Sequence, residues 1–274
     1  MASTRTRARV PRAAALAVSF ALGGLLTACG GGPGQTEGSS AVWPSPSLSG
    51  GPSSPGGPTS SGGASSAGGA SSAGDAGGLI VFDGDSLTEG YFLPPSQSYP
   101  SQVMRQLPDH FESVNFGISG QTWQDMLRDV RHEVDPLYSA SRRLNLVVVW
   151  AGANDLAVGY TAQQVYDNAR RYCEARRQVG FTVVTATLYP LEPKDVDRQF
   201  EARRIAYNEL LRAHWRAFAD ALIDLAADER IGDPSGPDRK QYFIDAVHLN
   251  KDGYGVIADR VLTTVRPIVT GAAQ

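Results

Sequence analysis

Gly78-Leu79-Ile80-Val81-Phe82-Asp83-Gly84-Asp85-Ser86-Leu87-Thr88-Glu89-Gly90 changes character halfway along. Leu79 to Phe82 is a short, wholly apolar run. It breaks into two acids, a glycine and a serine, then closes on a second glycine. A strand that is apolar on both faces belongs in a parallel sheet covered by helices on both sides. In such open α/β sheets the functional site forms outside the carboxyl ends of the strands. The two acids and the serine therefore stand where chemistry is expected.

The rest of the domain alternates in the same way. Ser98 to Leu107 reads as a helix, Ser113 to Phe116 as a weaker strand, and Trp123 to about Val134 as a helix that Pro136 helps to end. Leu144 to Trp150 is the clearest strand. Thr161 to Val179 is a long amphipathic helix with Thr161 as N-cap and Gly180 as its stop. Phe181 to Leu188 is a β-branched strand, Asp197 to Ala219 a helix, Ala221 to Leu225 a short strand and Gly253 to Val265 the final helix. Five strands with crossover helices predict an α/β fold, a flavodoxin-like three-layer α/β/α sandwich with a five-stranded parallel sheet. Its strand ends carry Asp83-Gly84-Asp85-Ser86, Gly117-Ile118-Ser119-Gly120 and Gly152-Ala153-Asn154-Asp155, while Asp245-Ala246-Val247-His248 precedes the last helix.

Two chemistries compete for the first of these turns. A strand followed by Asp-x-Asp resembles the start of haloacid-dehalogenase-like phosphatases, which would make Asp83 a nucleophile and Asp85 an acid, with Asp233 and Asp238 as later Mg²⁺ ligands. Leu87 stands where that family has Thr or Val, and the reading leaves Asn154 and the Asp245–His248 pair without a task. The serine reading uses all of them. A serine hydroxyl needs a base, and the base needs an orienting carboxylate. His110, His132 and His214 lie in or beside polar helical stretches and read as surface residues. His248 sits in a loop with Asp245 three positions earlier, so a one-turn loop brings the carboxylate to Nδ1–H and leaves Nε2 to face Ser86. The Ser86 and Gly120 N–H groups and the Asn154 amide then supply the donors an oxyanion requires.

These blocks closely resemble those of the GDSL, or SGNH, hydrolases. The four namesake residues of that family fall on Ser86, Gly120, Asn154 and His248, in the family's order, across residues 79 to 268. The resemblance implies Ser86 as nucleophile, His248 as base with Asp245 as its partner, and Ser86, Gly120 and Asn154 as the oxyanion hole. The reaction implied is ester hydrolysis through an acyl-enzyme, with no cofactor. Ser119 lacks the Gly-x-Ser-x-Gly setting of an α/β-hydrolase nucleophile, because Gln121 follows Gly120. No pair of histidines has metal-ligand spacing, so no metal is expected. Tyr91, Phe92 and Leu93, ahead of Pro94-Pro95, are candidates for an acyl pocket or for roof over the core. A catalytically silent binding module on the same fold is the alternative outside enzymology.

The ends place the domain in the cell. Arg5, Arg7, Arg9 and Arg12 precede an uncharged stretch, Ala13 to Ala28, too short for a comfortable membrane span. It ends in Leu26-Thr27-Ala28-Cys29, which resembles the lipobox of bacterial lipoproteins. Residues 1–28 then form a signal peptide and Cys29 receives a lipid. Residues 29–77, nearly all Gly, Ser, Pro and Ala, form a disordered tether, and 78–270 the folded domain. The expected location is the outer face of the cytoplasmic membrane. Of 25 basic and 28 acidic residues, four arginines leave with the signal, so 21 basic groups face 28 acidic ones, a net of −7. That balance disfavours nucleic acid and any membrane contact beyond the lipid. A small-molecule or glycan ester substrate and a monomeric state are expected. With Cys29 lipidated, Cys173 has no disulfide partner and reads as a small buried apolar residue.

Overall fold

A computed structural model of the chain describes residues 77–191, 198–233 and 239–271. Five parallel strands form one sheet: β1 (Gly78–Gly84), β2 (Phe111–Asn115), β3 (Leu144–Trp150), β4 (Thr182–Ala186) and β5 (Ala221–Ile223), in the order β2-β1-β3-β4-β5. That order is the flavodoxin-like one, and its direction reverses between β1 and β3. Strand β1 pairs with β2 over Gly78–Phe82 and with β3 along its full length. All seven of its residues are buried, as its apolar run requires. Strand β2 lies at the edge and is half exposed, which is why its sequence signal is weak and displaced toward Phe116.

The helices are α1 (Ser86–Glu89), α2 (Tyr99–Met104), α3 (Trp123–Glu133), α4 (Ala153–Ala157), α5 (Ala162–Val179), α6 (Arg198–His214), α7 (Arg239–Tyr242) and α8 (Lys251–Thr270). The 18-residue helix α5 starts and stops where its caps predict. Thr161 and Gln164 form a capping box, and Gly180 closes the helix in the left-handed region. Helix α8 is longer at both ends than its sequence pattern. Asn250 caps it by accepting from the Asp252 and Gly253 N–H groups, and it runs through Pro267 because Val269 still buries against the core. The short helices α1, α4 and α7 carry too few residues for any apolar period to mark them. Asp197, where the sequence pattern started α6, lies outside the described residues, as do Cys29 and the segment before residue 77.

One contact inside this core is polar. The Tyr172 hydroxyl of α5 donates to Asp83 Oδ2 near the end of β1, while Asp83 Oδ1 accepts from the Gly84 N–H at 2.9 Å. Asp83 is only 3 % exposed, and burial pushes its carboxyl up to about 7, against the opposing pull of Tyr172 and Gly84. The reading of Asp83 as a phosphatase nucleophile is thereby corrected: the carboxylate is spent inside the core on a tyrosine, with no open side toward a substrate. Cys173 beside Tyr172 is fully buried and free, and burial raises its thiol well above the usual range.

A raised carboxyl favours the protonated folded state. Between the ordinary value near 3.8 and about 7 the folded chain holds a proton at Asp83 that the unfolded chain has lost. Its contribution to stability is therefore complete below that window and declines as pH rises through it. Thermal melts of wild type and Asp83→Asn across pH 4–8 are expected to diverge in slope, with the variant losing less stability toward pH 7. Parallel profiles would show that Asp83 does not titrate in this range.

Candidate active site

The turn that carries Ser86 is built by crowding and by one cap. At Gly84 a Cβ would lie 2.2 Å from the Trp150 carbonyl oxygen of β3, so only glycine fits there. The chain then turns at Asp85, which is 1 % exposed and whose Oδ1 accepts from the Leu87 N–H at 2.9 Å. Asp85 is thus the N-cap of α1 and braces the turn, and burial raises its carboxyl to about 7. Ser86 is the first residue of that helix and is partly exposed. The Leu87 and Thr88 side chains on either side of the next turn are buried, which holds Ser86 at the rim of the sheet.

The loop before α8 brings the second part. Asp245 Oδ1 accepts from the Val247 N–H at 2.8 Å and the His248 N–H at 2.6 Å, and the Ile244 N–H donates to the His248 carbonyl. This leaves Asp245 Oδ2 facing His248 Nδ1 at 2.9 Å, and His248 Nε2 lies 3.1 Å from Ser86 Oγ. Partial burial alone would raise the Asp245 carboxyl, but the donors from His248 and Val247 outweigh it and hold the group below its ordinary value. The loop is fixed from outside by the Tyr189 hydroxyl, which donates to the Val247 carbonyl at 2.7 Å, and by Arg239, which donates to the Ala246 carbonyl at 2.8 Å. Ser86 and the Asp245–His248 pair form one continuous hydrogen-bonded chain, although Ser86 and His248 are 162 positions apart. His110, His132 and His214 are exposed and take no part in it.

Two further loops border Ser86. Gly120 is exposed with φ +79, a left-handed conformation that favours glycine, and the space where a side chain would start is empty. Asn154 Nδ2 donates to the Gln121 carbonyl at 3.0 Å, which joins the loop after β3 to the loop after β2. Among the described residues neither the Ser86 nor the Gly120 N–H meets a hydrogen-bond acceptor. Beneath Leu87 lies a small internal void of about 10 Å³, room for a single water, lined by buried side chains that include Trp150, Leu188, Tyr189, Phe200 and Arg204. Tyr91 and Phe92 are exposed next to His248, with ring centroids 5.0 and 5.7 Å from the imidazole, whereas Leu93 packs against the core. Of the three candidate pocket residues, two therefore stand at the site and one is roof.

Several residues hold this arrangement through contacts that their local sequence does not mark. Glu89 Oε2 accepts from both the Ser119 N–H at 2.9 Å and the Ser119 hydroxyl, tying the end of α1 to the residue before Gly120. Ser119, the rival serine, is therefore a strut. Asn115 adds a second tie, donating to the Thr88 carbonyl at 2.9 Å and accepting from the Gly117 N–H at 2.8 Å. Asp155 is fully buried and accepts from the Trp123 N–H at the start of α3, and burial lifts its carboxyl to about 6. Only side-chain contacts between separate loops reveal these roles. Among the described residues no cluster of three or more His, Cys, Asp or Glu is placed to hold a metal ion, and Asp238 lies outside them.

The comparisons with known proteins agree with this architecture. A model of the GDSL-like lipase/acylhydrolase family matches residues 82–256. Solved structures share the fold. A member of the lipolytic G-D-S-L family from Veillonella parvula is 20 % identical with a TM-score of 0.56, covering 68 % of this chain and 96 % of its own. A psychrotrophic esterase from Pseudoalteromonas sp., in a structure inhibited by monoethylphosphonate, is 15 % identical with a TM-score of 0.52, covering 70 % and 98 %. A putative acylhydrolase from Bacteroides fragilis is 23 % identical with a TM-score of 0.55, covering 70 % and 88 %. None of the curated protein sequences matches.

The Glu89 tie generates a kinetic expectation. Glu89→Ala should lower kcat on an ester by roughly tenfold to a hundredfold with little change in KM, because it frees the loop that carries Gly120. Glu89→Gln, whose amide oxygen can still accept from Ser119, should retain most activity. Ser119→Ala keeps the N–H contact and should stay within about tenfold of wild type. A rise in KM at constant kcat for Glu89→Ala would remove the carboxylate from any positioning role.

Proposed function

The chain belongs to the GDSL-like lipase/acylhydrolase family and is a serine hydrolase of esters, and from that premise we propose that it is a cell-surface esterase in which Ser86 is the nucleophile, His248 the base and Asp245 its orienting partner. The observation that carries this reading is the unbroken line from Asp245 Oδ2 through His248 to Ser86 Oγ, at 2.9 and 3.1 Å. Asp245 keeps the imidazole in the tautomer with its proton on Nδ1, so Nε2 accepts the Ser86 proton as Oγ attacks the ester carbonyl. Negative charge develops on the carbonyl oxygen and is met by the Ser86 and Gly120 N–H groups and the Asn154 amide. Collapse of the tetrahedral adduct breaks the bond to the alcohol oxygen, which takes the proton from Nε2. The acyl group stays on Ser86 until water, activated by the same histidine, releases it.

The substrates proposed are short- to medium-chain acyl or acetyl esters of a small molecule or glycan, and each acyl methylene that the protein buries would stabilise the complex by about 0.8 kcal/mol. The protein acts as a monomer without a metal or organic cofactor. The Cys29 signal and the Gly/Ser-rich residues 30–77 support a lipid anchor on the outer face of the cytoplasmic membrane. A Gly/Ser coil of that length reaches about 35–42 Å, enough to hold the domain clear of the headgroups.

Ser86→Ala and His248→Ala are each expected to reduce ester hydrolysis by roughly 10⁴-fold, and Asn154→Ala by about 10²–10³-fold, mostly in kcat. A fluorophosphonate should label wild type once, at Ser86. Substantial activity in Ser86→Ala would overturn the assignment, and labelling at Ser119 would relocate it. Cys29→Ser should release the protein from the membrane fraction or stall its processing. Wild-type protein found wholly soluble outside the cell would refute the anchor.

A further inference from the structure

We propose that Tyr91 and Phe92 form a subsite for the alcohol half of the substrate, and that this half presents the flat face of a ring. The proposal rests on the esterase reading of Ser86 and His248 above. Tyr91 and Phe92 are 37 % and 62 % exposed, and they are the two aromatic members of the large exposed hydrophobic residues among those described. Their ring centroids lie 4.0 Å apart with planes tilted by 51°, and both rings touch the imidazole of His248. The pair is a bent shelf continuous with the base.

The shelf is preformed. The Tyr91 N–H donates to the carbonyl of Ser86 at 3.1 Å, and the Leu93 N–H to that of Gly90 at 3.0 Å. Leu93 is partly buried against the core, and Pro94 and Pro95 stiffen the exit. Phe92 is also the one non-glycine residue with positive φ among those described, at +67. A bulky side chain in that region costs free energy that burial normally offsets. Phe92 is not buried, and the ring contacts it makes in the fold are with Tyr91 and His248, so the left-handed turn holds an aromatic face against the imidazole and leaves its other side open.

The direction of the reaction decides which half of the ester meets this shelf. When the bond between carbonyl carbon and alcohol oxygen breaks, that oxygen takes its proton from His248 Nε2. It must lie within hydrogen-bond reach of the imidazole, and its substituent leaves across whatever flanks that ring. The carbonyl oxygen is claimed by Ser86, Gly120 and Asn154, and of the two remaining substituents only the alcohol oxygen has to reach the imidazole. Tyr91 and Phe92 flank the imidazole, so they receive the alcohol. Aromatic faces bind aryl rings by offset or edge-on stacking, and they bind the apolar face of a pyranose by the same burial.

The test holds the acyl group constant and varies the alcohol. Values of kcat/KM are measured for ethyl acetate, benzyl acetate and a methyl glucoside 6-acetate on wild type, Tyr91→Ala, Phe92→Ala and Phe92→Gly. The last variant relieves the backbone, so its melting temperature should not fall. Wild type should prefer one or both ring-bearing alcohols, and each variant should reduce that preference about tenfold, the scale of one well-placed aromatic contact. The preferred arm tells an aryl from a sugar alcohol. The acetate-to-butyrate ratio, measured on ethyl esters, should stay as in wild type. A preference that persists while the acetate-to-butyrate ratio shifts would put the rings on the acyl side and overturn the proposal. An equal loss on every ester would do the same by making them purely structural. Inertness on all esters together with absence of fluorophosphonate labelling would instead sink the esterase reading, and this one with it.

Discussion

The Trp150 carbonyl oxygen lies 2.2 Å from where a side chain on Gly84 would begin, so the ends of β1 and β3 are pressed together with no room for a larger residue. That contact sits at the point where the strand order reverses, and loops from β1, β2 and β3 must all leave from it. Because β1 cannot continue past Gly84, the chain turns at once into α1, and Ser86 becomes the first residue after the turn. Asp85 makes the turn durable by capping α1 from a site that water does not reach. Move β1 by one residue along β3 and another side chain would have to fit where Gly84 meets the Trp150 carbonyl, while Ser86 would leave its place opposite His248.

Around that fixed turn the active-site loops are held by one another. Glu89 and Asn115 bind the loop after β2 to α1, and Asn154 and Asp155 bind the loop after β3 to residues 121 and 123. Each link joins a side chain to backbone, so it fixes the path of a loop and not merely the position of one group. Such preorganisation suits a reaction whose transition state gains charge, since donors already in place need not reorganise when it appears. It has a cost. Asp83, Asp85 and Asp155 are buried and their carboxyls raised, so part of the stability available at acid pH is given up near neutrality.

The fourth component arrives from the far end of the chain. The Asp245–His248 loop has no strand to stand on, and Tyr189 and Arg239 hold it through its carbonyls instead. Asp245 does two jobs with its two oxygens: one closes the loop on itself, and the other orients the imidazole. The Tyr91–Phe92 pair then covers the outer flank of the same imidazole. The His248 imidazole is thus set between a polar support within the protein and an apolar surface open to solvent.

Sequence by itself determined the fold class, the caps of α5 and the identity of the residues at the strand ends. Apolar periodicity and cap chemistry act over a few neighbouring residues, and a strand buried over Leu146–Trp150 states its environment in an unbroken apolar run. The three-residue spacing of Asp245 and His248 belongs to the same class, because one turn of chain decides it. Tertiary structure alone decided the rest. Asp83 could be told from a surface nucleophile only when Tyr172, 89 positions away, closed on it. Glu89 and Asp155 became supports only when their loops met Ser119 and Trp123. Tyr91, Phe92 and Leu93 are three similar apolar neighbours in sequence. A left-handed turn at Phe92 leaves two of them beside the imidazole and packs the third against the core, a division that depends on backbone direction and on an imidazole supplied from more than 150 residues further along the chain.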